Sequence, residues 1–132
     1  MHVELITLLV EDYDAALHFY VDRLGFELVE DSPTDPGRAA SKRWIVVRPA
    51  HAVTGFLLAR ADDDRQAAAT GNQTGGRVGF FLRVDDFDET FQRLSEAGVT
   101  FVSPVRHEPY GSVAVFEDVS GNRWDLLGPT PE

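Results

Sequence analysis

Asp125 lies between Trp124 and Leu126 in the run Arg123-Trp124-Asp125-Leu126-Leu127. Behind it, across Ser120-Gly121-Asn122, stands a second apolar run, Val113-Ala114-Val115-Phe116. Gly and Asn accept positive φ, so two short apolar runs around such a turn read as a hairpin. A carboxylate among apolar strand residues has two readings. It is a ligand or catalytic group facing a cavity, or a polar residue on a wet sheet face. The side chains that most readily bind metals or move protons near neutral pH are the four histidines, His2, His18, His51 and His107. None pairs with another at the i, i+2 or i, i+4 spacing that clusters metal ligands. His18 sits on a helical segment beside Phe19-Tyr20 and reads as a packing residue. His51 is in a loop. His107, in Arg106-His107-Glu108-Pro109-Tyr110-Gly111, is placed in a loop able to overhang a cavity mouth, with Tyr110 beside it.

The composition narrows the functions open to these groups. There is no cysteine, so disulfides, thiolate catalysis and Cys-ligated zinc are excluded together. The net charge of −10 repels phosphate backbones, and no nucleic-acid partner is expected. No apolar run approaches the ~20 residues that span a bilayer, and the N-terminus lacks a signal-peptide pattern. The expectation is a cytoplasmic, soluble globular chain without a membrane partner. Its 132 residues suffice for one domain with a single core.

The elements that must position Asp125 follow from periodicity. Val3–Val10 is β-branched and extended and reads as a strand, and Asp12 caps a helix whose apolar face is Tyr13, Ala16, Leu17, Tyr20 and Leu24. Gly25 ends the helix. Strands are expected at Phe26–Glu30, Arg43–Arg48 and Val53–Arg60, with a loop over Asp31–Ser41. Residues 61–76 form a linker, in which Asp62–Ala69 can make a short helical turn. The pattern then restarts. A strand over Arg77–Val84 precedes a helix capped by Asp86, with Phe87, Phe91 and Leu94 on its apolar face and Gly98 at its end. Val99–Ser103, Ser112–Phe116 and Arg123–Leu127 complete the strands, with a loop over Pro104–Gly111. An offset of 74 residues takes Asp12 to Asp86, Tyr13 to Phe87, Leu17 to Phe91 and Tyr20 to Leu94. Fixed-offset similarity marks an internal repeat. The chain reads as an α+β fold: module 1 over 1–60, the linker, and module 2 over 77–129. Two tandem βαβββ units are expected to form a curved, cup-like mixed sheet with helices outside.

Val10-Glu11-Asp12-Tyr13 through Phe19-Tyr20, followed by Leu24-Gly25-Phe26, resembles the first module of the vicinal oxygen chelate superfamily. That superfamily holds glyoxalase I, extradiol dioxygenases, and bleomycin and fosfomycin resistance proteins. Val84-Asp85-Asp86-Phe87 and Ala97-Gly98-Val99 resemble the start of its second module. Phe116-Glu117-Asp118-Val119-Ser120-Gly121-Asn122-Arg123-Trp124-Asp125-Leu126 resembles its closing D-P-x-G-N-x-x-E-L signature. Val119 replaces the usual proline there, and Asp125 the usual glutamate. The resemblance implies a divalent metal held by residues of the first and last strand of each module. Carried over one at a time, those places fall on Leu5, Phe56, Gly79 and Asp125. Asp125 alone can bind a metal, and a hard cation needs several donors.

Alternation puts Leu5 and Thr7 on the cup side of the first strand. Gly79, Phe81, Arg83 and Asp125 face the cup in module 2, and Trp44 is a further candidate. With Phe56, His107 and Tyr110 these residues form the expected pocket, apolar and aromatic with few charges, as small-molecule sites are. Arg83 and Asp125 either orient a ligand or simply pair with each other. The expected function is small-molecule binding without a cofactor, as in the resistance-protein branch, by a homodimer. The alternatives are a divalent-metal-dependent lyase, isomerase or dioxygenase of the glyoxalase type, and a vestigial interaction module.

Overall fold

The computed structural model describes residues 1–34 and 42–130. It divides into two compact units, Met1–Thr70 and Gly71–Glu132, and each is described by itself. The part of the expected loop over residues 35–41 lies outside the described residues.

In the first unit, β1 (Leu5–Val10) leads into α1 (Tyr13–Leu17), which continues as a π-helical segment over His18–Arg23. Asp12 caps α1, its Oδ2 accepting from the Ala15 N–H at 2.8 Å. The Leu24 N–H bonds to Phe19 O at 2.9 Å, five residues back, and this wider turn rotates the buried face. Phe19, absent from the face read at a period of 3.6, is buried with Tyr13, Ala16, Tyr20 and Leu24, while Leu17 is half-buried. Gly25 follows at φ 89°, a backbone state that suits glycine.

The strands β2 (Glu27–Pro33), β3 (Arg43–Arg48) and β4 (Gly55–Arg60) complete a sheet of order β1-β4-β3-β2, with β1 and β4 parallel. The second strand runs three residues beyond the expected Glu30. Asp31–Pro33 pairs with Arg43–Ile45, and Arg43 holds Asp31 through two hydrogen bonds of 2.7 and 3.1 Å. The Arg43 guanidinium keeps the Asp31 carboxyl below its ordinary value, chiefly through that hydrogen bonding. Arg43 also reaches Asp14 on the helix at 2.8 Å and lies 5.4 Å from the Tyr13 ring centroid, tying helix to sheet. A proline is tolerated there because β2 is an edge strand.

A short helix, α2 (Asp64–Ala69), occupies part of the expected linker, capped by Asp63. The second unit repeats the first topology. It contains β5 (Phe80–Arg83), α3 (Phe87–Glu96), β6 (Thr100–Phe101), β7 (Arg106–Glu108), β8 (Gly111–Glu117) and β9 (Arg123–Gly128). The sheet order is β5-β9-β8-β6, β5 and β9 are parallel, and β7 pairs with β8. Asp86 caps α3 through the Glu89 N–H at 3.1 Å. An aromatic row joins α3 to the sheet: Phe91 to Phe101 at 4.4 Å, Phe101 to Phe116 at 5.8 Å, Phe116 to Trp124 at 5.9 Å, and Trp124 to Phe80 at 4.8 Å between centroids. Trp124, Phe116, Ala114 and Leu126 are buried beneath the helix. Among the described residues no helix is long and apolar enough to cross a membrane.

Candidate functional site

Residues paired across a sheet share a face, and successive residues alternate. In the second unit Phe80 and Trp124 lie on the helix side, so their successors Phe81 and Asp125, opposite each other in β5 and β9, lie on the open face. Gly79 and Arg83 share that face. So do Arg123 and Leu127 of β9, and Val113 and Val115 of β8, which oppose Leu127 and Asp125. In the first unit Leu8 and Val10 are buried, so Leu5, Thr7 and Leu9 face away from the helix. Trp44 and Val46 join them, because Ile45 and Val47 pair with the helix-side Leu58 and Phe56. Trp44 and Phe81 are 40% and 63% exposed, so aromatic surface is available on each open face.

Two expected site residues are corrected. Phe56 lies on the helix side: it is buried and its ring stands 6.3 Å from Phe26, which in turn packs on Tyr20 of the helix. Leu8 pairs with Leu58 and Leu82 with Leu126, so the counterpart of Asp125 in the first unit is Leu57. Matching Leu57-Leu58 to Leu126-Leu127 slips the register by one residue, and one residue flips the face. His107 is also misplaced. It sits in strand β7, opposite Ser112, with Nδ1 2.9 Å from Ser112 Oγ. Ser112 is on the helix side by its spacing from Ala114 and Phe116, so His107 points away from Asp125. Its neighbour Arg106, opposite Val113, takes the open face instead. Tyr110 is in the turn between β7 and β8 and 59% exposed.

Asp125 is a polar residue on the side of the sheet turned away from the helix, where Val113 beside it is fully buried. Asp125 itself is 9% exposed, and its Oδ1 is buried and accepts no hydrogen bond. Of the two readings of Arg83 and Asp125, the mutual pair does not form: Arg83 opposes Leu127, and among the described residues Asp125 makes no ion pair. Burial raises the Asp125 carboxyl above its ordinary value, and the charge of Arg106 partly opposes the rise. A proton therefore binds the folded state more tightly than the unfolded one. The stability this confers is fully present below the unfolded value near 3.8 and is lost as pH rises through the higher folded value. Asp125→Leu, which buries an apolar group beside Val113, Val115 and Leu127, is expected to raise neutral-pH stability by about 1–3 kcal/mol. Melting curves across acid to neutral pH should show the gain shrinking on acidification. A variant less stable than wild type at neutral pH would show that Asp125 has a stabilising partner.

Each unit can be tested against the metal that the resemblance implies. The first offers Leu5 and Leu57, and neither donates. The second offers Gly79 and Asp125, of which one donates. A Cβ added at Gly79 would meet Thr74 Cγ2 at 2.8 Å, so the chain's own Thr74 fills the space a ligand side chain needs. Thr74 is held by its hydroxyl, which donates to Arg77 O at 2.6 Å. Among the described residues no three of His, Asp and Glu gather as a metal site. This donor set does not fit a hard divalent ion.

A cavity of about 370 Å³ lies in the second unit, lined by residues including Thr74, Arg77, Gly79, Glu117 and Arg123. Gly79 and Arg123 precede Phe81 and Asp125 along the same two strands, and the Gly79 N–H bonds to Arg123 O at 3.0 Å. Thr74, Arg106 and Leu57 were not among the expected site residues. Arg106 lies in a three-residue strand between Pro104 and Pro109 whose polar sequence carries no alternation that would mark it.

The chain belongs to the Glyoxalase/Bleomycin resistance protein/Dioxygenase superfamily, whose family model matches residues 2–126. An uncharacterized protein of Shewanella frigidimarina is 48% identical over 124 residues, covering 92% of this chain and 89% of the relative. The crystal structure of TnmS3, an antibiotic binding protein from Streptomyces sp. CB03234, is 33% identical with a TM-score of 0.74, covering 98% of this chain and 97% of that one. UcmS2 is 30% identical with a TM-score of 0.81, covering 96% and 97%.

Proposed function

We propose that the protein binds a small organic molecule on a helix-free sheet face without a catalytic metal. The observation that carries the reading is the donor set: one buried carboxylate, Asp125, with Thr74 filling the space over Gly79. Apolar walls with exposed aromatic rings and one polar group suit a ligand held by burial and stacking. The similarity to TnmS3, an antibiotic binding protein, supports the same class. The reading includes a homodimer, because sheet faces carrying Trp44 and Phe81 this exposed gain by a cover, and a cytoplasmic location for a chain free of cysteine.

Metal analysis of protein purified without chelator tests the reading, together with a thermal-shift screen of small aromatic compounds. No stoichiometric divalent ion is expected. An aromatic ligand at a hundred times its Kd should add about 2.7 kcal/mol of stability. A stoichiometric ion that is lost on Asp125→Ala would replace this reading with a metal-dependent lyase, isomerase or dioxygenase. A screen in which no compound stabilises the protein would point to an interaction module.

A further inference from the structure

Three charged side chains line the cavity of about 370 Å³ in the second unit: Arg77, Glu117 and Arg123. Arg123 donates through Nε to Glu117 Oε1 at 3.3 Å, and its two Nη groups are left without an acceptor. Arg77 makes no side-chain hydrogen bond and no ion pair among the described residues. Two guanidinium groups against one carboxylate leave a positive charge in excess, although the chain as a whole carries −10. Beside Arg77 the lining is bare backbone. Gly75 and Gly76 run at φ 71° and 92°, and a Cβ added at Gly76 would meet nothing within 4 Å, so a ligand can come close to the chain there. The Gly76 N–H donates to no backbone acceptor among the described residues, which adds an unpaired donor to the same wall.

Charge and shape select the ligand. A guanidinium presents parallel N–H groups that match the two oxygens of a carboxylate. Glu117 stands in the same lining and opposes a second negative charge, so a monoanion is favoured over a phosphate dianion. Phe80 gives the lining an apolar part for the rest of the ligand. We propose that this cavity binds a small organic carboxylate, held by Arg77 and Arg123. Neither Phe81 nor Asp125 lines it, so the site is independent of ligand binding on a helix-free sheet face.

The test is an amide chemical-shift titration of the full chain at neutral pH and low salt with benzoate, benzamide and phenyl phosphate, the last carrying close to two charges. Benzoate should bind about tenfold or more tightly than benzamide, with the largest shifts at Gly76, Arg77 and Arg123. Arg77→Gln should bring benzoate to the level of benzamide. Glu117→Gln removes the opposing charge and releases Arg123, so it should tighten benzoate severalfold. The spectrum of each variant reports whether it is folded. Equal binding of benzoate and benzamide by wild type overturns the site, as does an unchanged benzoate affinity in Arg77→Gln or a weakened one in Glu117→Gln. Phenyl phosphate binding more tightly than benzoate overturns the choice of a carboxylate. Shifts centred on Trp44 or Phe81 overturn the cavity site and favour the sheet-face reading. No benzoate binding at all overturns the cavity site alone, since the sheet-face reading is tested with neutral aromatic compounds.

Discussion

Trp124→Ala is expected to cost about 3–5 kcal/mol of folding stability, the largest effect of any single change considered for this chain. Trp124 is 2% exposed and lies between Phe80 at 4.8 Å and Phe116 at 5.9 Å. Through Phe116 and Phe101 it connects to Phe91 of α3, so one ring joins the first strand, the last strand and the helix of the second unit. Its removal leaves a cavity that the stacked rings around it cannot readily close, and the cavity adds to the lost transfer energy. The same ring fixes the face of its neighbour. With Trp124 seated beneath the helix, alternation sends Asp125 to the open side. Urea unfolding should therefore show a much lower midpoint with an unchanged slope, and any ligand dependent on Asp125 should bind more weakly to the fraction that stays folded. Trp124→Phe should lose less, because a smaller ring keeps part of the row. A cost below about 1 kcal/mol for Trp124→Ala would mean that the aromatic row is not the core of this unit.

Asp118→Ala is expected to cost about 2–4 kcal/mol. Asp118 is 6% exposed and organises the turn that joins β8 to β9. Its Oδ1 accepts the N–H groups of Ser120 and Asn122, both at 2.9 Å, and its Oδ2 accepts from Asn122 Nδ2 at 2.8 Å. The backbone closes the same turn, with the Asp118 N–H donating to Asn122 O at 2.9 Å. Asn122 is 4% exposed, so truncating Asp118 strands donors where water does not easily reach. Asp118→Asn keeps one acceptor and should recover part of the loss. Denaturant titration of the two variants in parallel checks the ordering. Equal stability of Asp118→Ala and wild type would mean that the turn is held by its backbone alone. Gly121, at φ 95°, supplies the left-handed residue the turn needs.

Much of this was legible in the residues. The 74-residue offset, the capping aspartates Asp12 and Asp86 and the glycines after each helix are local signals. They led to two βαβββ modules, and the sheet orders β1-β4-β3-β2 and β5-β9-β8-β6 repeat in the same way. Alternation placed Leu5, Thr7, Gly79, Phe81 and Arg83 on the faces turned away from the helices, since Asp12 and Asp86 anchor β1 and β5, and within β9 it placed Asp125 opposite to Trp124. The same reasoning failed for Phe56, because no cap anchors β4 and a pair of leucines can be matched in two ways. It failed for His107 because β7 is three residues long and has no apolar alternation to reveal it.

The sequence by itself determined which elements exist, which module each belongs to, and which face a residue takes relative to its own strand neighbours. These follow from periods of 2 and 3.6 residues and from capping chemistry, all short-range. Tertiary structure alone decided that Leu57 and not Phe56 matches Asp125, that Arg106 and not His107 shares its face, that Thr74 fills the space over Gly79, and that Oδ1 of Asp125 is buried without a donor. Each of these depends on register between strands or on a loop crossing a sheet end. Pairing distant segments sets such features, and no local pattern encodes them.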